Sequence, residues 1–121
     1  MQTTVFCKTK FEGIHRYPSA PDEVAYLRQP HRHMFGVQVD IDVYGTDREL
    51  EFIMLKHKVD NWIRKHLNEL GVWEMETLSC EQVAMYLIAY LQTMYCDEMQ
   101  KRQIIVTIDE DGENGATVYG D

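Results

Sequence analysis

"PHRHMFGVQVDIDVYG", residues 30–45, decides the fold. Phe35, Val37, Val39, Ile41 and Val43 alternate with Gly36, Gln38, Asp40, Asp42 and Tyr44. A period of two predicts a half-buried antiparallel strand over residues 34–44. The stretch opens on His31 and His33. Side chains at i and i+2 of a strand project to one face, so both rings can reach one ion if another ligand comes from elsewhere.

Upstream, residues 3–12 read as a less regular strand, with Val5, Cys7 and Thr9 on one face and Phe6, Lys8 and Lys10 on the other. Residues 13–30, between the two strands, have no periodicity and include Pro18 and Pro21. A hairpin connection this long is commonly functional. Downstream, "GTDREL" reads as a turn. Leu50, Phe52, Ile53, Leu55, Val59, Trp62, Ile63 and Leu67 then follow at helical spacing, with Gly71 ending the helix. Ser79 and Gln82 form a capping-box pattern before a second helix through Val83, Tyr86, Leu87, Tyr90, Leu91 and Met94. "QIIVTID" (103–109) and "ATVY" (116–119) read as two last strands around the turn "DGENG". The expected fold class is α+β: a four-stranded antiparallel sheet with two helices on one face, in the order ββααββ. Its uncovered face and open edges predict assembly of several copies into a barrel.

The 121 residues suit a single domain, 1–121, with 45% apolar and 26% charged residues. A net charge of −8 argues against a general electrostatic grip on nucleic acid or an anionic membrane. It leaves room for a small anionic ligand at a local cluster. There is no apolar run of membrane-spanning length and no secretion-signal pattern in "MQTTVFCKTK". Cys7, Cys80 and Cys96 are unpaired by motif and suit free thiols. The expected location is the cytoplasm.

His15 ends "FEGIH", and in a hairpin the end of the first strand lies beside the start of the second, where His31 and His33 stand. Three imidazoles with an open fourth position suit catalytic zinc. A His-x-His pair also reads as two solvated, unconnected rings, and His15 beyond the long loop is what balances the two readings. His57 reads as a polar-face residue and His66 as a cation near a helix end. Glu110, in the acidic run "DEDGE", reads on residue chemistry alone as a solvated carboxylate. Cys80 lies in a first helical turn, which can activate a thiol, but an inert buried thiol is the simpler reading.

Taken in order, "FEGIH", "PHRH" before a long alternating strand, "ELEFIMLK", "LSCEQVA" and "VTIDE" resemble the 6-pyruvoyl-tetrahydropterin synthase and 6-carboxy-tetrahydropterin synthase family across the whole chain. The resemblance implies the T-fold, assembled as trimers or hexamers, and a lyase acting on a dihydroneopterin triphosphate-like substrate. It implies zinc on His15, His31 and His33, and Glu110 as anchor of a pterin ring edge. Ser79 and Glu81 fall on the family's Pro-Thr-x-Glu-Asn motif, with Ser for Thr and Gln82 for Asn. The chain also departs from the pattern. Leu27 stands where the family has a catalytic cysteine, and Ile63 and Arg64 stand where it has an Asp-His pair. Arg32 replaces the glycine of His-Gly-His, and Arg32 or residues of the long loop are expected to meet an anionic tail. Asp22, Glu23, Tyr26 and His66 are the candidates for a relocated base. The rival reading is a zinc-containing protein that binds a pterin- or purine-like ring without turnover.

Overall fold

Period-two burial runs through the longest hairpin of the molecule. The computed structural model describes residues 1–121. Its elements are β1 (Thr3–His15), a 3-10 segment (Asp22–Arg28), β2 (His31–Val43), α1 (Phe52–Arg64), β3 (Val72–Glu76), α2 (Cys80–Tyr95), β4 (Ile104–Glu110) and β5 (Asn114–Tyr119). β1 and β2 pair antiparallel without a slip, from Thr3 opposite Val43 to His15 opposite His31. The sheet order is β3-β1-β2-β4-β5. β2–β4 and β4–β5 are antiparallel, whereas β3 runs parallel to β1 at the outer edge.

The fold class is the expected α+β, but the sheet has five strands instead of four. β3, "VWEME", begins with two consecutive buried residues, Val72 and Trp73, so no alternation announces it. The preceding helix is also shorter than its pattern. α1 stops at Arg64, and residues 67–72 turn back through the Asn68 N–H to Val72 carbonyl bond and the Gly71 N–H to Asn68 carbonyl bond. Gly71, at φ 75°, therefore serves the turn into β3 and does not cap α1.

Register fixes the core. The odd-numbered residues of β1 and β2 and the even-numbered residues of β4 share one face. On it Phe35, Val39, Ile41, Ile104, Val106 and Ile108 are fully buried. α1 covers β1, while α2 covers β4 and β5. Leu55, Val59, Trp62 and Ile63 of α1 meet Val83, Leu87, Ile88 and Leu91 of α2 in one continuous cluster with the strands. Each such aliphatic side chain stabilises the fold by about 1.5–3 kcal/mol. Phe52 and Ile53, expected in the α1 stripe, are instead half-exposed: they belong to the first turn, where the Glu51 carboxylate accepts the N–H groups of Ile53 and Met54. The capping box of α2 forms as expected, with Ser79 Oγ accepting the Gln82 N–H and Gln82 Oε1 accepting the Ser79 N–H.

Candidate metal centre and its cavity

The same parity continues past the end of the core. His15, His31, His33 and Glu110 lie on the core-facing side of their strands, beyond Phe11 and Phe35. His15 is opposite His31, Gly13 opposite His33, and Phe35 opposite Glu110. Gly13 has no side chain because a Cβ there would lie 2.6 Å from the Met75 sulfur and 2.9 Å from the Phe35 ring. That close approach lets Phe35 form the apolar floor on which the rings of His15 and His33 stand edge-on. The three imidazole centroids are 4.6, 5.0 and 5.7 Å apart.

Each ring is oriented by a bond at Nδ1. His15 Nδ1–H donates to the Leu78 carbonyl at 2.9 Å, just ahead of α2. His31 Nδ1–H donates to the Gln29 carbonyl at 2.9 Å. His33 Nδ1–H donates to the Asp111 carboxylate at 2.7 Å. Such partners fix the tautomer of a metal-binding histidine and present its other nitrogen as a lone pair. The His33 bond holds the Asp111 carboxyl below the usual carboxylate range, with the Met34 N–H adding to the effect.

The second ring nitrogens have no such partners. His33 Nε2 is buried and has no hydrogen-bond partner. His15 Nε2 lies 3.0 Å and His33 Nε2 3.6 Å from the two oxygens of Glu110. One donor atom from each of His15, His31, His33 and Glu110 falls within 4.8 Å of the others. With a proton on every Nδ1, acceptors face acceptors here, and a cation resolves that conflict. Donors around tetrahedral zinc, with bonds of about 2.0–2.1 Å, lie about 3.3–3.5 Å apart. The two separations from Glu110 bracket that spacing, and the four donor atoms form a group able to hold a metal ion.

A cavity of about 330 Å³ opens beside the cluster, with His15, Tyr17, Leu27, Ser79, Glu81 and Glu110 on its wall. The expected site residues divide sharply around it. Leu27 lines it, at the end of the 3-10 segment, where the Leu27 carbonyl accepts the Tyr17 N–H. Arg32 does not: its even number in β2 sends it to the opposite face, where it pairs with Glu12 at 2.7 Å. Arg16 is on the cavity wall and forms no ion pair. Among the base candidates, Asp22 pairs with Arg28, and Glu23 and Tyr26 are exposed outside the wall. His66 stacks on Trp73 at 4.2 Å, and burial depresses its pKa. Ile63 is in the core and Arg64 is exposed. Cys80 supplies no thiolate, since burial with Glu110, Glu81 and Asp109 nearby pushes its pKa up to about 12.

Glu110, expected as a ring anchor, lies on the cavity wall with its carboxylate beside His15 and His33. Glu81, in the first turn of α2, is the other carboxylate on the wall and has no ion-pair partner. The N-cap pattern around Ser79 was its signal in the sequence. Asp111 carried no such signal. Its role depends on a left-handed backbone, φ 58°, at the turn after β4.

No protein-family profile matches the chain, and no curated protein matches it in sequence. Solved structures do match it in shape. The 6-pyruvoyl tetrahydropterin synthase of Plasmodium falciparum superposes with a TM-score of 0.72 at 15% identity, covering 98% of each chain. The Plasmodium vivax 6-pyruvoyltetrahydropterin synthase, with a catalytic glutamate exchanged for alanine, gives 0.73 at 13% identity, covering 100% of this chain and 99% of that one. An uncharacterised protein from Wolinella succinogenes gives 0.73 at 14% identity with the same coverage. Over its whole length, the chain has the fold of the 6-pyruvoyl tetrahydropterin synthases.

Proposed function

We propose that this T-fold chain, acting as one domain over residues 1–121, is a zinc-dependent lyase of the pterin-synthase type. The reading is carried by one observation: three imidazoles, each held at Nδ1, bring ligand atoms within 4.8 Å of one another and of Glu110 beside a cavity of about 330 Å³. His15, His31 and His33 hold the zinc, which when bound polarises an oxygen of the ligand as a Lewis acid. The substrate is a dihydroneopterin triphosphate-like molecule. The free carboxylate of Glu81, beside Ser79, accepts two parallel N–H bonds from the amino-pyrimidine edge, a role only an acceptor pair can fill. Arg16, in place of Arg32, meets the anionic tail from the cavity wall. The uncovered edges of β3 and β5 pair with other copies in a trimer or hexamer. No helix is long and apolar enough to cross a membrane.

A second reading, a metal-containing protein that binds a pterin- or purine-like ring without turnover, is favoured by Leu27. An aliphatic side chain on the wall removes no proton, and the other base candidates of the long loop lie outside the cavity. Incubation of the zinc-loaded chain with dihydroneopterin triphosphate, followed by chromatography, separates the two. The lyase reading expects a new pterin product, lost in His31→Ala together with the zinc. Intact substrate that stays bound through gel filtration assigns the binder. Absence of both binding and product overturns the pterin assignment.

A further inference from the structure

The four groups of the cluster are not equivalent. Each histidine is held by a second bond at Nδ1, to Leu78, Gln29 or Asp111. The Glu110 carboxylate has no such tether; its only polar partners are the ring nitrogens of His15 and His33. It ends β4, next to the turn at Asp111 and Gly112, and it forms part of the cavity wall. Three donors are therefore held by a second bond and one is not, and the untethered one shares the cavity wall with His15 and His31.

We propose that Glu110 is the fourth metal ligand and the one that leaves when a ligand enters. The inference rests on the metal reading above. In the resting protein, three neutral imidazoles and one carboxylate close the tetrahedron and reduce the charge of the divalent ion to a net +1. An incoming ligand oxygen exchanges for the Glu110 oxygen. One metal–oxygen bond breaks, one forms, and no electron changes hands. The released carboxylate keeps its negative charge on the cavity wall. A neutral incoming oxygen then faces a site with its full +2 charge. Lewis acidity is thus withheld until the cavity is filled, which protects the metal from adventitious anions.

The test uses the full chain loaded with cobalt(II), with azide as the probe. In the wild type, the visible bands of four-coordinate cobalt stay unchanged as azide is added. In Glu110→Ala the same addition shifts the bands, because a coordination position is vacant. Cobalt affinity in this variant falls by more than about tenfold, the lower bound for changes that act only through an outer-shell partner. Glu110→Gln, which keeps the side-chain shape, guards against loss of fold, with the circular dichroism spectrum checked for both variants. The proposal is overturned if wild-type bands already respond to azide, or if both variants keep wild-type affinity. A wild-type chain that takes up no cobalt instead removes the metal reading itself, and this proposal with it.

Discussion

Asp111→Gly separates what Asp111 does for the backbone from what it does for the metal. Asp111 sits at φ 58°, a left-handed conformation that costs an L-residue and not glycine. Its side chain accepts the Met34 N–H at 2.9 Å and the His33 Nδ1–H at 2.7 Å, while its own N–H donates to the Met34 carbonyl at 2.8 Å. Glycine relieves the backbone, keeps the last bond and loses the first two. The gain and the loss oppose each other, so the melting temperature of the metal-free chain stays near that of the wild type. The metal has no such compensation. Without Asp111 the His33 ring is free to turn, and its Nε2 is a weaker donor. Loss of an outer-shell carboxylate of this kind costs about 10–100-fold in affinity, or roughly 1.4–2.8 kcal/mol of binding. Asp111→Asn keeps an acceptor oxygen and tolerates the left-handed backbone, so it falls between the wild type and glycine. Zinc affinity is read by competition with a chromogenic chelator and fold by thermal melting. A folded Asp111→Gly chain with wild-type zinc affinity would refute the role assigned to this carboxylate.

Two further predictions concern stability. Leu87→Ala removes a fully buried side chain from the centre of α2 and costs about 2–5 kcal/mol, measured by urea unfolding; a smaller loss would mean that the helix is not seated on the sheet as described. Glu49 accepts a 2.6 Å bond from the buried Arg102, and that bond lowers its pKa from the ordinary value of 4.5. A lowered folded-state pKa stabilises the fold above the ordinary value, and the benefit is lost as pH falls through the folded value. The gap in urea midpoint between wild type and Glu49→Gln is therefore full at about pH 7 and closes in strong acid. A gap that widens on acidification would contradict the pairing.

How far the site was legible follows from the range over which each signal acts. His15, His31 and His33 could be brought together on paper because both facts needed are local: the period of two, and the adjacency of hairpin ends. The parity rule also contained the answer for Arg32, which stands between two inward histidines and so must face outward. Glu110 is different. Its place beside the histidines depends on the β2–β4 register, Phe35 opposite Glu110, between segments separated by two helices and an edge strand. No local pattern encodes such a register. The place of Asp22, Glu23 and Tyr26 off the cavity wall was illegible for a related reason. They lie in a 3-10 segment broken at Val24, φ −125° and ψ 37°, where no period tells the direction of a side chain.

The position of the cluster also explains its chemistry. The rows Ile41–Val39–Val37–Phe35 on β2 and Ile104–Val106–Ile108 on β4 are the floor of the core, and His33, His31 and Glu110 extend the same rows by one or two steps. Polar groups there occupy positions equivalent to core positions, and a polar atom buried at such a position needs a partner. The structure supplies a partner for each Nδ1 and none for His33 Nε2. A side chain could have satisfied it directly. Instead the Glu110 carboxylate faces the open nitrogens of both His33 and His15, acceptor against acceptor. That mismatch has a simple resolution in a cation shared by all four groups, and it explains why imidazoles stand where the rows upstream carry only aliphatic and aromatic side chains.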